Sequence, residues 1–285
     1  MPPAADALAA AQAALLGVRQ DLTTLKAAAA EQDAQAAAAT RAIEPPVADP
    51  SAHVITGQQH HPSALRNRVP ILKALLKLLP DSDVFGGNGL EIATGTGALM
   101  EVLAPAFPCL AYQPSEFLPD VQASPEEQWS AHGKIGLRQG LDELANIDEH
   151  GCKVFKSCLP AVSLDLLKPW PSTVTEKQHA LIVCANTLHI TPWAASEGLL
   201  RGAGQNLAPG GHLCVYGPFK VAGEFVGVDG GAGNARFDEK LRSTNPAWGI
   251  RDVDELAKLA AGFGLMLRAM VDMPANNLVL HFVKE

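Results

Sequence analysis

The sequence lacks the features of membrane, disulfide-rich and metal-centred proteins. It has no apolar run near the roughly 18 residues of a spanning helix, and its most apolar short stretch is residues 181–185. The 5 cysteines are odd in number and include no Cys-x-x-Cys pair. This pattern favours reduced thiols in a cytosol-like compartment over a disulfide framework or a zinc site. We therefore expect a cytoplasmic protein that uses neither a membrane nor a metal.

Positive charge is also scarce. The chain has 22 Lys and Arg residues against 30 Asp and Glu residues, giving a net charge of −8 and a pI of about 5.6. This balance opposes general electrostatic binding to nucleic acid or to an anionic membrane. Hydrophobic residues make up 47% of the 285 residues and charged residues 18%. The chain therefore has enough apolar material to fold over most of its length.

The first fifty residues differ from the rest, because they contain no aromatic residue and no serine and are dominated by alanine. Residues 44–50 are rich in proline, so we expect an extension and linker over residues 1–50 and a folded domain over 51–285. A heptad seam within residues 4–40 predicts either a short coiled coil that binds a partner or a second copy, or an alanine-rich helix that frays. The acids of this segment are untypical of a transit peptide, and no clear targeting signal is present. The seam consists of Leu8, Ala11, Leu15, Val18, Leu22, Leu25 and Ala29.

From about residue 53 onward, short apolar runs alternate with helix-period segments. Helices are predicted near residues 69–79, 97–107, 194–207 and 253–263. Crossover helices between strands indicate a doubly wound α/β sheet of the Rossmann-like type, mostly parallel and seven-stranded. Two consecutive strands at the end of the chain indicate one antiparallel edge strand. The predicted strands are residues 89–93, 110–113, 161–164, 180–185, 212–216, 265–271 and 278–283.

The most informative segment is the turn Gly95-Thr96-Gly97, which follows an apolar strand and opens a helix. Such a turn either binds a ligand at its backbone amides or is a simple strand-to-helix connection. Met100 replaces the third glycine of the dinucleotide pattern and disfavours an NAD-dependent oxidoreductase. Glu91 before the turn makes the segment resemble the first motif of class I S-adenosylmethionine (SAM)-dependent methyltransferases. That resemblance implies SAM as cofactor, held by Glu91, Ala93, Gly95, Thr96 and Gly97.

Motifs spread over residues 53–284 resemble those of the methyltransferase-like protein 26 family. Where that family usually has Gln or Glu and then His after Gly-Thr-Gly, this chain has Ala98 and Met100. The stretch between Glu116 and Asp165 is also longer than the family norm. The motifs are Arg66-Asn67 with Pro70-Ile71, Gln113-Pro114-Ser115-Glu116, Asn186 with His189-Ile190 and Pro192-Trp193, Tyr216-Gly217-Pro218-Phe219, Asn234 with Phe237-Asp238 and Leu241, Asn245-Pro246, Trp248-Gly249-Ile250-Arg251-Asp252, and Met273-Pro274-Ala275-Asn276-Asn277-Leu278.

The resemblance also implies cofactor contacts beyond the glycine turn. Glu116, at the end of the second strand, is the first choice for the ribose hydroxyls because a carboxylate offers two acceptor oxygens to two donors. Gln113 is the second choice. Asp165 matches the position expected near the adenine amino group, or caps a turn. Arg66 and Asn67 contact the methionine carboxylate, or are only a helix start.

Two residues after the fourth strand are candidate catalytic groups. His189 is suited to remove a proton from the methyl acceptor, and Asn186 is suited to hold the acceptor through its amide. Four aromatic residues either form a wall around the substrate or pack in the core. These are Trp193, Tyr216, Phe219 and Trp248.

The function that this sequence favours is SAM-dependent methyl transfer to a small molecule or a protein side chain. A second hypothesis is a binding or scaffold protein that keeps the fold and has lost turnover, which Ala98 and Met100 favour. The glycine-rich run at residues 227–233 is read as either a lid hinge or a surface loop. Arg251 and Asp252 are read as the start of a helix, with Asp252 as its N-cap.

Overall fold

The computed structural model describes residues 60–117, 145, 147–148 and 154–285. The heptad seam in residues 4–40 lies outside the described residues, as does most of the segment between Glu116 and the third strand. Within the described part, no helix has the length and apolarity needed to cross a membrane. Four cysteines are described, namely Cys109, Cys158, Cys184 and Cys214, and all are free thiols.

The main sheet has seven strands in the order β3-β2-β1-β4-β5-β10-β9. The first four neighbouring pairs are parallel, and β10 runs antiparallel to both β5 and β9. The predicted fold class is therefore confirmed, with the antiparallel strand inserted beside the edge strand β9. The strands are β1 (Gly87–Ile92), β2 (Leu110–Glu116), β3 (Val162–Ser163), β4 (His179–Ala185), β5 (Leu207–Gly217), β9 (Leu265–Met273) and β10 (Asn277–Lys284).

The helices pack on the two faces of this sheet. Helix α1 begins at Pro62, where the preceding His61 ring accepts a hydrogen bond from the Ser63 amide, and it buries Ile71 and Leu75. As predicted, Asp252 caps a helix, because its carboxylate accepts a 2.8 Å hydrogen bond from the Asp254 amide. The helices around the main sheet are α1 (Pro62–Leu78), α2 (Met100–Ala106), α3 (Ser172–Thr175), a 3-10 turn (Leu188–Ile190), α4 (Trp193–Asn206) and α6 (Val253–Ala261).

Two hydrophobic clusters fill the layers above and below the sheet. One contains Ile182, Leu199 and Phe282, and the other contains Leu75, Leu103 and Tyr112. Successive side chains of a strand point to opposite faces, so Ile182 and Leu181 of β4 lie in different clusters. Both faces are therefore buried, as a doubly wound sheet requires.

Residues 219–252, which we call the cover segment, contain elements that the sequence did not predict. They comprise β6 (Phe219–Val221), β7 (Glu224–Phe225), helix α5 (Ala232–Thr244) and β8 (Arg251–Asp252). Strands β7, β6 and β8 form a second, three-stranded sheet. Helix α5 has no apolar periodicity because two of its three buried residues, Asn234 and Asp238, are polar; the third is Leu241.

Candidate functional site

A cavity of about 850 Å³ opens at the carboxyl ends of β1, β2 and β4. Strand β1 lies between β2 and β4, so helices leave the sheet in opposite directions around it and a crevice forms. Of the sequence-predicted residues, nine line this cavity, and they come from four separate segments of the chain. They are Arg66, Asn67, Glu91, Ala93, Gly95, Thr96, Glu116, Asn186 and His189.

Two residues of the glycine turn, Gly95 and Thr96, form part of the floor of the cavity. Gly95 and Gly97 have φ values of 59° and 82°, a region that residues with a Cβ seldom adopt. A Cβ at Gly95 would meet no atom within 4 Å, so this glycine leaves the approach to the backbone open. Ala93 also has a positive φ of 55°. Backbone strain of this kind is concentrated at ligand sites.

Glu116 joins the end of β2 to the glycine turn. One carboxylate oxygen accepts a 2.6 Å hydrogen bond from the Gly95 amide and the other accepts a 2.9 Å bond from the Phe117 amide. The turn is also fixed by Thr94, whose amide donates to the Ser115 carbonyl at 2.9 Å. The Gly95 amide is thus already bound to an anion of the protein itself. A phosphate would have to displace that carboxylate, which opposes a pyrophosphate-containing ligand.

Glu91 is a buried carboxyl group at the edge of the cavity. Its side chain is only 2% exposed and accepts a 2.6 Å hydrogen bond from the Tyr112 hydroxyl. Burial raises the pKa of Glu91 from 4.5 to about 8, although the Tyr112 bond works in the opposite direction. A positively charged ligand group at this position would restore the carboxylate form, since an opposite charge favours ionisation.

A buried ion pair is linked to the glycine turn through His60, and the sequence did not predict it. Glu101 lies 2.6 Å from Arg68 and 3.2 Å from His60, and both the Glu101 and His60 side chains are fully buried. The other ring nitrogen of His60 is 2.9 Å from the Thr96 hydroxyl. The only signal in the sequence is a single acid within the apolar run that follows Gly97.

Asn186 and His189 face the cavity from the end of β4. Asn186 has a φ of 56°, a conformation that Asn tolerates better than most residues. Burial, together with the nearby Arg251, lowers the pKa of His189 to about 4. The ring is therefore neutral at pH 7 and suited to accept a hydrogen bond. It is poorly matched to a general base, whose pKa ideally lies near the working pH.

The cover segment closes the cavity on the side of His189. Phe237 lines the cavity, and its ring packs edge-on against the His189 ring at 5.5 Å. The Asn234 side chain also lines it and donates to the carbonyls of Val226 and Asn276 at 3.0 and 2.9 Å. Phe237 and Asn234 belong to segments quoted in the sequence analysis, but no role was predicted for them.

Two predicted polar residues, although described, do not line the cavity. The Gln113 amide donates to the carbonyls of Pro160 and Pro114, which leaves the position at the end of β2 to Glu116. Asp165 accepts a 2.8 Å hydrogen bond from the Leu167 amide, as in the alternative reading of a turn cap. Gly97 also lies outside the lining and shapes the turn through its backbone.

The four predicted aromatic residues are described as well, and none lines the cavity. Phe219 and Tyr216 are 2% and 3% exposed and pack in the hydrophobic clusters. Trp193 donates to Glu197 at 2.9 Å, and Trp248 packs with Leu241 and Ile250. Core packing thus accounts for them. Among the described residues, no group of three or more His, Cys, Asp or Glu side chains is placed to hold a metal ion.

Solved structures share this architecture. An O-methyltransferase family protein from Burkholderia thailandensis matches with a TM-score of 0.56 and 13% identity, over 77% of this chain and 57% of that chain. Human N-acetylserotonin methyltransferase, solved with SAM, matches with a TM-score of 0.52 and 15% identity, over 78% and 52%. The methyltransferase CalO1 of calicheamicin biosynthesis, solved with SAH, matches with a TM-score of 0.54 and 14% identity, over 78% and 55%.

The strand order and the cavity over the glycine turn define a protein with the class I methyltransferase fold. Within that class, the chain belongs to the family described as a protein of unknown function, DUF938, whose family model matches residues 58–284. The match includes every residue that lines the cavity. The chain spans less than two thirds of the length of the three solved structures, and at these identities the likeness concerns the fold.

Proposed function

We propose that this protein is a SAM-dependent methyltransferase that acts on a small molecule or a protein side chain. The observation that carries the proposal is the Glu116 carboxylate, which is bound to the Gly95 amide at 2.6 Å beside the cavity. This arrangement places a negative charge at the Gly95 amide, where the pyrophosphate of a dinucleotide would need a free hydrogen-bond donor. It suits a cofactor that carries positive charge and ribose hydroxyl donors.

The residues that line the cavity fit the parts of SAM. Glu116 supplies acceptor oxygens for the ribose hydroxyls, and Leu164 and Leu166 offer apolar surface for the adenine ring. Glu91 suits the ammonium group of SAM and Arg66 suits its carboxylate, because each offers the opposite charge and both line the cavity. When bound, SAM supplies an electrophilic methyl group on a cationic sulfur.

The protein's own contribution is to position the methyl acceptor and exclude water. Asn186 and His189 line the same cavity as the glycine turn, and the neutral ring of His189 accepts a hydrogen bond from the nucleophile. Phe237 of the cover segment packs against the His189 ring on this side of the cavity. Displacement at a methyl group depends strongly on alignment, so positioning supplies much of the rate. We also propose membership of the methyltransferase-like protein 26 family, on the motifs that the sequence shares with it.

Calorimetric titration with SAM, with SAH and with NAD tests the proposal. We expect SAM and SAH to bind and NAD to give no heat. Gly95→Val should abolish SAM binding, because its side chain would occupy the open space over the turn. Gly210→Val is a matched control: Gly210 has a φ of 75° and empty space around its Cβ, but it lies outside the cavity lining. Absence of SAM binding to the wild type would refute the proposal.

A binding or scaffold protein is the second candidate. Ala98 lines the cavity at a position where the resembled family usually has a polar residue, and it offers the ligand no hydrogen bond. Incubation of cell extract with labelled SAM distinguishes the two candidates. A methylated product that requires the protein would establish the enzyme, whereas tight SAM binding without any product would favour the scaffold.

A further inference from the structure

Arg251, the first residue of β8, is a buried arginine bound to neutral groups. It is 7% exposed, and its guanidinium donates to the carbonyls of Thr191 and Gly249, the latter at 2.8 Å. Its Nε is 3.4 Å from the Ser196 hydroxyl. Among the described residues, no carboxylate lies within 4.0 Å of this guanidinium. Such a group is costly to bury, so its position calls for a reason beyond packing.

The contacts of Arg251 converge on the turn that carries His189. Thr191 directly follows the 3-10 turn Leu188–Ile190. Gly249, the other carbonyl that Arg251 binds, donates its own amide to the His189 carbonyl at 3.1 Å. Arg251 therefore binds the backbone two residues after His189 directly and reaches the His189 carbonyl through Gly249, so it links this turn to the cover segment.

The charged groups around His189 and Arg251 come from β8, α5 and α6. Arg251 faces His189 from β8. On α5, Asp238 binds Arg242 at 2.7 Å and the Ile250 amide at 2.6 Å, so its carboxylate is already engaged. Phe237 packs against the ring, and a Cβ at Gly217 would lie 3.5 Å from Nδ1. Arg242 opposes the charge of Arg251, whereas Asp238 and Glu255 of α6 favour it. A second positive charge on the ring would face the charge of Arg251.

We propose that Arg251 is a positioning residue, which holds the turn that carries His189 against the cavity and, as a neighbouring positive charge, helps the buried ring to stay neutral as a hydrogen-bond acceptor for the methyl acceptor. This role rests on the proposed methyltransferase function. It is physically reasonable there, because a neutral ring avoids placing a further cation beside a cationic methyl donor. The lowered pKa of His189, caused first by burial and then by Arg251, agrees with this geometry.

Nuclear magnetic resonance of the full chain without SAM tests the proposal, so the result does not depend on whether SAM binds. Long-range proton–nitrogen spectra would follow the titration and tautomer of the His189 ring, and hydrogen exchange would follow the Gly249 amide. Arg251→Met should raise the pKa of His189 above its wild-type value of about 4, since removing a like charge favours protonation. It should also speed exchange of the Gly249 amide at least tenfold.

Arg251→Lys separates charge from geometry. It keeps the positive charge but not the planar fork that reaches two carbonyls, so exchange of the Gly249 amide should increase while the pKa of His189 stays low. A pKa of His189 that is unchanged in Arg251→Met would reduce Arg251 to a structural residue and overturn the proposal. If Arg251→Met does not fold, the wild type still decides the matter, because a His189 that titrates near 6.5 would overturn the proposal by itself.

Discussion

Replacing Glu91 by Gln should stabilise the protein at neutral pH and weaken its proposed ligand binding. Glu91 is fully buried, and its pKa is raised from 4.5 to about 8. Between pH 4.5 and about pH 8, the folded state binds this proton more tightly than the unfolded state does. The stability that protonated Glu91 contributes is therefore fully present below pH 4.5 and is lost as the pH rises through about 8. At about 1.4 kcal/mol per pKa unit, the loss is below about 1 kcal/mol at pH 5 and about 3 kcal/mol at pH 7.

Urea unfolding at pH 5 and pH 7 measures this effect. A neutral Gln does not titrate, so the stability of Glu91→Gln relative to the wild type should rise by about 2 kcal/mol between the two pH values. Comparing the two pH values cancels any change in the hydrogen bond to Tyr112. Glu239→Gln, on the exposed face of α5, is the matched control and should show no such rise. A stability difference that is equal at pH 5 and pH 7 would refute the reasoning.

Two further predictions concern other buried charged or titratable groups. Glu101→Gln should destabilise the fold by about 3 kcal/mol, because it leaves the Arg68 guanidinium buried without its carboxylate. In urea unfolding, the double variant with Arg68→Met should lose less stability than the two single variants lose together. Losses that simply add would contradict this prediction. Burial, with His212 and Arg268 adding to it, lowers the pKa of His281 to about 4. The neutral His281 ring therefore contributes stability above pH 6.5 that is lost as the pH falls. Between pH 7 and pH 5, the free energy of unfolding of His281→Leu should fall by about 2 kcal/mol less than that of the wild type. An equal fall in both proteins would contradict this prediction.

The sequence predicted the main sheet well, because each strand combines an apolar run with a turn signal. It located β4, β5 and β10 within a few residues of their observed bounds, although β5 begins five residues earlier, at Leu207. The helix α5 was missed for a physical reason. Its buried face includes Asn234 and Asp238, which are satisfied by hydrogen bonds, so it has no apolar stripe that a sequence pattern could reveal.

The sequence predicts the cavity residues well where a motif fixes the backbone. It predicts them less well where packing in three dimensions decides whether a side chain faces the cavity or the core. Glu91, Gly95 and Glu116 lie at strand ends next to the glycine turn, so their place in the cavity follows from the order of the strands. The aromatic residues Tyr216 and Phe219 also end a strand, but a large apolar side chain is equally satisfied by the core. Local sequence does not indicate which of the two surroundings it finds.

The small size of the hydrophobic cluster in the cover segment has a consequence for exchange of ligands. Among the described residues, its own cluster has three buried members, Leu241, Trp248 and Ile250, whereas the clusters on the main sheet are several times larger and Phe219 anchors the start of the cover segment in one of them. Local unfolding costs least where few apolar groups are buried. We therefore expect the glycine turn to belong to the more stable part of the molecule and the cover segment to unfold locally at a lower free-energy cost. A ligand could then enter and leave the cavity without any opening of the main sheet.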